Sequence, residues 1–287
     1  MNPVSENLKS GKVTSTNPTV ADVERFSEQN PLCAFESPFA VGSPEFFRWH
    51  DDVRRKDVEQ FAFQQYEFDR HRDERVLDVG CGIGWICQHF AQNGARITGV
   101  DLTLRAVELT RLRLTLHGLS GDIRQANAES LPFPDGVFDF VVSAGVLHHT
   151  PRTEQAVAEI RRVLRPGGRG MIALYYRSPL FCATLWPITR WLVNRGLRAV
   201  PGRDGFRTVA TPDDLVRMYD GNENPLGKCY SRGEMRALLD GFLVERLAVH
   251  YFPRRFVPLG NWMPRWVHAV LDRSLGLMIY ATVRKAA

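Results

Sequence analysis

The amino-acid sequence predicts an α/β protein, a three-layer αβα sandwich built on a doubly wound, seven-stranded, mostly parallel sheet. Short β-branched runs alternate with helix-spaced stretches from Arg75 onward, which is the pattern of βαβ units. A glycine-rich turn joins the first of these strands to its helix. A closing helix-strand-strand series brings the count to seven, with an antiparallel end.

Residues 1–20 read as a flexible tail, rich in Ser, Thr and Asn and without the apolar run of a secretory leader. A helical cap is expected over 21–70, where 21–30 and 43–69 carry apolar residues at helical spacing (Phe46, Phe47, Val53, Val58, Phe61, Phe63) and Ser43-Pro44 provides a start. The main domain then spans 71–287. Its expected order is strand 75–79, helix 85–93, strand 95–100, helix 104–117, strands 122–126 and 138–143, helix 153–164 and strand 170–175. An irregular insertion over 176–230 precedes helix 231–240 and strand 242–249, and a second insertion over 250–276 precedes strand 277–283. Both insertions read as lids.

With 287 residues, 44% hydrophobic and 24% charged, the chain can bury a large core without disulfides. Its five cysteines form no CxxC pair and no His/Cys cluster, which fits a reducing cytoplasm and gives no zinc site. No stretch of eighteen apolar residues occurs. The net charge of +5 is spread along every element, mostly as arginine, and reads as a solvated basic surface rather than a nucleic-acid patch.

The strand RVLDV runs into Gly80-Cys81-Gly82-Ile83-Gly84 and directly into a helix. Glycines there let the backbone approach a ligand, and the helix start offers free N–H groups to its polar atoms. Asp101, at the end of the next strand, is placed to accept two ribose hydroxyls. A dinucleotide fingerprint needs its third glycine at position 85; this chain has Trp85, so a cofactor without a pyrophosphate is expected.

Residues 76–84 resemble the first motif of the class I, Rossmann-like S-adenosylmethionine-dependent methyltransferases, small-molecule type. Further stretches are similar in order and spacing: Gly99-Val100-Asp101-Leu102 to the ribose loop, Asn127-Ala128-Glu129 to the adenine loop, residues 138–143 to the fourth strand with Gly145-Val146-Leu147-His148-His149 after it, and residues 163–168 to the lead into the fifth strand. The resemblance is close over about 71–176 and looser beyond. It implies S-adenosylmethionine as cofactor. Asp78 would orient the methionine amino group through the turn, Gly80, Cys81, Gly82 and Gly84 would line methionine and ribose, and Asp101 with Leu102 would hold the ribose. Asn127, Ala128 and Glu129 would meet the adenine, while Ser143 and Gly145 would pass beneath the sulfonium. Asn127 stands where the family usually has an acid, so its contact is weaker. Cys81 reads as a small packing residue rather than a nucleophile.

Methyl transfer asks the protein mainly to hold an acceptor in line with the methyl and free of water. A hydroxyl or carbon acceptor must also lose a proton, and His148 and His149 are the candidate general bases; a helix-start or packing histidine reads the same way. His50 and His250 are weaker candidates. No metal is expected, because Ser143 and Tyr175-Tyr176 stand where acidic ligands would be needed. A small, partly apolar acceptor is expected, walled by insertion aromatics such as Phe46, Phe47, Trp186, Trp262 and Trp266, with Arg177, Arg254 or Arg255 meeting an anionic group. The alternatives are a lipid at a membrane surface, suggested by the Trp/Leu/Arg spacing over 180–197 and 262–275, RNA or protein modification, and a protein that only binds the cofactor. Sequence leaves the oligomeric state open.

Overall fold

The computed structural model describes residues 18–34, 36–196, 209–221, 223–254 and 260–287. The tail expected over 1–20 lies almost wholly outside the described residues, as do Arg255 and part of the first insertion.

Seven strands form one sheet in the order β3-β2-β1-β4-β5-β7-β6. They are β1 (Arg75–Val79), β2 (Arg96–Asp101), β3 (Asp122–Gln125), β4 (Phe138–Ala144), β5 (Leu164–Tyr175), β6 (Phe242–His250) and β7 (Met278–Lys285). β1 pairs in parallel with β2 and β4, while β7 runs antiparallel to both β5 and β6. Strand order reverses between β1 and β4, and a crevice opens beyond the carboxyl ends of strands at such a point. The uninterrupted RVLDV run follows from burial on both faces: Val76, Leu77, Asp78 and Val79 are all buried.

Two helical layers cover the sheet. Helices α3 (Trp85–Gln92) and α4 (Leu104–Leu116) pack one face through Ile86, Phe90, Val107 and Leu114. On the other, α5 (Thr153–Val163) and α8 (Arg232–Leu238) bury Val157, Ile160 and Met235. This is the expected αβα sandwich, with an antiparallel end.

The cap and the first insertion depart from the expected elements. Helix α1 (Val20–Gln29) starts from a Thr19/Asp22 capping box and docks on the head of α4, where Arg105 N donates to Glu28 Oε1 at 3.1 Å. Helix α2 (Pro44–Val53) stops well short of residue 69 and passes into a π turn (Arg54–Val58) and two short 3-10 turns. Phe61, Phe63, Tyr66 and Phe68 are two, three and two residues apart, so no single helical stripe can bury them. Glu67, at φ 53°, reverses the chain between the two turns. The insertion over 176–230 is helical where an irregular path was expected: it carries α6 (Trp186–Gly196) and α7 (Pro212–Tyr219). Thr211-Pro212-Asp213-Asp214 starts α7 with a capping box and proline in its first turn. In the second insertion, α9 (Arg265–Leu275) packs on β6.

Candidate active site

A cavity of about 340 Å³ opens at the carboxyl ends of the strands. One end is walled by Gly80, Cys81, Gly82, Asp101, Leu102, Asn127, Ala128 and Gly145, all of them anticipated from sequence. Val100 O fixes the entry to the loop by accepting from Gly80 N at 2.7 Å and Cys81 N at 2.9 Å. A Cβ on Gly80 would lie 2.2 Å from Val146, which ties this turn to the loop after β4. At Gly82 (φ 56°) and Gly145 (φ 79°) a Cβ would meet nothing within 4 Å. These two glycines satisfy a left-handed backbone and keep the cradle open, as a cofactor lying against the loop requires. Asp101 accepts from Gly82 N through Oδ2 and from Thr103 N and Oγ1 through Oδ1, each at 3.0 Å. Its carboxylate therefore pins the glycine loop and the start of α4 at once.

Four other anticipated residues, Gly84, Ser143, Glu129 and Asp78, stand behind this wall. Gly84 is the N-cap of α3 and packs on Thr110. Ser143 Oγ donates to Val79 O at 2.9 Å and so laces β4 to β1. Glu129 is buried, accepting from Arg152 N at 2.7 Å and Arg152 Nε at 2.9 Å. It fixes the approach to α5 rather than facing the cavity. Asn127 Oδ1 accepts from Glu129 N at 2.9 Å, so part of the amide's hydrogen-bonding capacity is spent within its own loop. Asp78 is fully buried; Cys87 Sγ donates to its Oδ2 at 3.3 Å, and Oδ1 has no partner.

Burial pushes the Asp78 carboxyl up to about 7. The native protein holds this proton more tightly than the unfolded chain does. Its contribution to stability is thus complete below about pH 4, near the ordinary aspartate value, and fades as pH rises toward 7. The expected loss across that window is on the order of 4 kcal/mol. Urea midpoints at several pH values should show this slope in the cofactor-free protein, and Asp78→Asn should flatten it.

The other end of the cavity is phenolic. Tyr66, Tyr175, Tyr219, Tyr251 and Tyr280 line it, with Trp85, Met278, Arg54, Glu59, His50 and Asp220. The insertion aromatics expected there are elsewhere: Phe46 and Phe47 are core residues, while Trp262 and Trp266 are 87% and 72% exposed. Arg177 pairs with Glu234 at 3.0 Å and Arg254 donates to Lys56 O at 3.4 Å, and neither reaches the wall. The arginine that does is Arg54. Its Nη2 lies 2.6 Å from Glu59 Oε1 and its guanidinium sits 4.4 Å over the Trp85 ring. Tyr66 OH donates to Glu59 Oε1 at 2.7 Å, and Tyr280 OH donates to Oε2 at 3.3 Å.

The histidines separate clearly. His148 is fully buried off the wall, with neither ring nitrogen hydrogen-bonded. Burial, then the nearby His149 and Lys228, hold it well below the ordinary imidazole range. His149 is on the wall: Nδ1 lies 2.6 Å from Leu226 O and Nε2 2.9 Å from Asp220 Oδ2. His50 also lines the cavity, without a hydrogen bond on either nitrogen, and burial lowers it to about 4. His250 bonds Asp272 at 2.6 Å and Gln65 at 3.0 Å, a structural arrangement. His148, His149 and Asp220 bring ligand-type atoms within 4.8 Å of one another, a proximity that the residues near Ser143 and Tyr175 did not disclose in sequence.

Asp220, Glu59 and Arg54 are the residues that sequence reasoning missed. The signal for Asp220 was the turn-rich stretch over 220–231. That stretch is laced onto residues 148–153: Lys228 Nζ donates to Thr150 O at 3.0 Å and Pro151 O at 2.9 Å.

A family model described as a methyltransferase domain matches residues 77–172. A ubiquinone biosynthesis O-methyltransferase of Aromatoleum aromaticum is 38% identical over 173 residues, covering 56% of this chain and 72% of that one. Among solved structures, a SAM-dependent methyltransferase from Methanosarcina mazei superposes with a TM-score of 0.53 at 20% identity, over 79% of this chain and 97% of the other. The cyclase SpnF gives a TM-score of 0.56 at 19% identity, over 95% and 98%. The structural likenesses establish the fold, and a fold shared with a cyclase does not by itself specify the reaction.

Proposed function

Because the chain belongs to the S-adenosylmethionine-dependent methyltransferases, we propose that it methylates an oxygen, nitrogen or carbon atom of a small, partly apolar molecule. The observation that carries this is the continuity of the cavity. The same space is walled at one end by Gly80, Gly82, Asp101 and Asn127 and at the other by five tyrosines, Glu59 and Asp220. When bound, the cofactor supplies a methyl group on a sulfonium, an electrophile that needs no further activation.

The chain's own residues then bind, orient and exclude water. Asp101 and Leu102 would hold the ribose, Asn127 and Ala128 the adenine, and Gly82 and Gly145 would leave room for the backbone to lie close, with Gly80 letting the turn pack on Val146. Asp78 acts from behind the turn. The cap over 21–70 closes the site, since Val23, Phe26 and Asn30 of α1 and its end line the cavity, and water exclusion strengthens every polar contact inside. The phenolic end suits a flat, amphipathic acceptor, with rings for its faces and hydroxyls for its polar edge.

A second reading has one observation in its favour. Trp262, Trp266 and Val270 are exposed at four-residue spacing beside exposed Arg265 and Arg273, as in helices that rest on a lipid surface. No helix among the described residues is long and apolar enough to cross a membrane.

Transfer of label from methyl-labelled S-adenosylmethionine into host extract, fractionated into RNA, protein, lipid and small molecules, tests both readings. Label in the small-molecule fraction is expected. Label confined to lipid would favour the surface reading, and label in RNA or protein would overturn both.

A further inference from the structure

The contacts around His149 fix where its protons are. Nδ1 lies 2.6 Å from Leu226 O, and a backbone carbonyl can only accept, so Nδ1 carries a hydrogen. Asn224 Nδ2, at 3.4 Å from the same atom, is too distant to compete. Nε2 lies 2.9 Å from Asp220 Oδ2, and a proton must occupy that line as well, because two lone pairs would repel. Both ring nitrogens are therefore committed. In this arrangement His149 has no lone pair with which to take a proton from an acceptor in the cavity.

Asp220 is differently placed. Its side chain is 26% exposed and lines the cavity. Among the described residues its partners are His149 on Oδ2 and the Tyr175 hydroxyl, at 3.2 Å from Oδ1 and 3.3 Å from Oδ2. A carboxylate accepts about four hydrogen bonds, so Asp220 keeps acceptor capacity toward the cavity. Three other acids line the wall, Asp101, Glu59 and Glu36, and the first two are already engaged. Asp101 is engaged by Gly82 and Thr103. Glu59, with its side chain 1% exposed, is held by Arg54, Tyr66 and Tyr280.

We infer that Asp220 is the residue that binds the N–H or O–H of the methyl acceptor and receives its proton, with His149 as a positioning residue locked between Asp220 and the Leu226 carbonyl. This rests on the methyltransferase reading above and narrows the acceptor to a hydroxyl or an amine. The acceptor's oxygen or nitrogen forms the new bond to the methyl carbon, and the sulfur keeps the electron pair of the broken C–S bond. The acceptor's proton passes to Asp220 and leaves to solvent when the product departs. The turn-rich stretch over 220–231 acquires a role in this arrangement, because it supplies both Asp220 and Leu226 to the two sides of one imidazole.

The test pairs a transfer assay with a measurement that needs no acceptor. In the full-length protein carrying nitrogen-labelled histidine, the His149 ring nitrogens are expected to both report as protonated, because the Leu226 carbonyl and the Asp220 carboxylate each accept from one of them. In Asp220→Asn, whose amide can donate to Nε2, one of them should lose its proton. Asp220→Asn should bind S-adenosylhomocysteine with unchanged affinity and lower label transfer by about 100-fold, the scale of a lost general base. His149→Gln should lower it less. Several results would overturn the inference: a singly protonated His149 in the parent, full transfer by Asp220→Asn, or loss of parental activity on chelation with recovery on adding a divalent cation. If the parent binds S-adenosylhomocysteine but labels nothing, the methyltransferase reading is what fails, and the nitrogen signals still decide the His149 geometry.

Discussion

Asp101→Ala is expected to weaken S-adenosylhomocysteine binding by at least about 100-fold and to take methyl transfer below detection. The carboxylate does two jobs that a ribose contact alone would not reveal. It accepts from Gly82 N within the loop and from Thr103 N and Oγ1 at the head of α4. Deletion leaves two backbone donors without their acceptor, each costing about 1–3 kcal/mol if water cannot reach it. The loop that must lie against the cofactor then loses its fixed geometry. Loss of the charge-assisted hydrogen bond proposed between Asp101 and the ribose would add about 1.5–3 kcal/mol. Asp101→Asn keeps the shape and one acceptor oxygen, so a smaller loss, about 10-fold, is expected. Titration calorimetry with both variants separates the contributions. Equal, near-parental affinities would mean that neither the loop restraint nor a ribose contact at Asp101 contributes to binding.

The glycine-loop end of the cavity was legible because its determinants are local. A buried strand has to read as a continuous β-branched run, a tight turn against a ligand needs glycine, and the next strand must end in a hydrogen-bonding group about twenty residues on; all three fall within residues 75–101. The acceptor end was not legible, since the pairs that assemble it, His149 with Asp220 and Glu59 with Tyr280, join residues far apart in the chain. His149 was visible, but Asp220, its partner, lies 71 positions away in a segment whose composition signals only turns. The aromatics of the insertions misled for a related reason: composition places a tryptophan on a helix without saying which face packs. Tyr175 and Tyr280 reach the cavity by strand position at the carboxyl end of β5 and on β7, whereas Trp262 and Trp266 face outward. The start of α7 was readable from Thr211-Pro212-Asp213-Asp214 and was passed over because the surrounding insertion lacks a clear apolar period.

Glu59→Ala is expected to produce the largest loss of stability among single substitutions in the cap, about 3–5 kcal/mol. Burial disfavours the Arg54 charge and the Glu59 carboxylate outweighs it, holding the guanidinium above its ordinary value. Without Glu59, that cation keeps only the Tyr66 hydroxyl at 3.2 Å and the Trp85 ring, in a site from which water is largely excluded. Two phenols, Tyr66 and Tyr280, lose their acceptor at the same time. At about 2–4 °C per kcal/mol for a large domain, the melting temperature should fall by roughly 10 °C. Glu59→Gln keeps a side-chain oxygen for one tyrosine and should lose about half as much. The decisive variant is the double substitution Arg54→Met with Glu59→Leu. Replacing both charges by apolar groups removes the unpaired ion, so it should recover most of the stability lost by Glu59→Ala. A double variant as unstable as the single one would show that packing volume, not the unpaired cation, sets the cost. Either way the pair matters for placement. The aromatic spacing over 61–68 gives this part of the cap no single helical stripe with which to bind the sheet, and Glu59 ties it to β7 through Tyr280 while Arg54 ties it to α3 through Trp85. The charges that position the cap are therefore also the polar floor of the acceptor end.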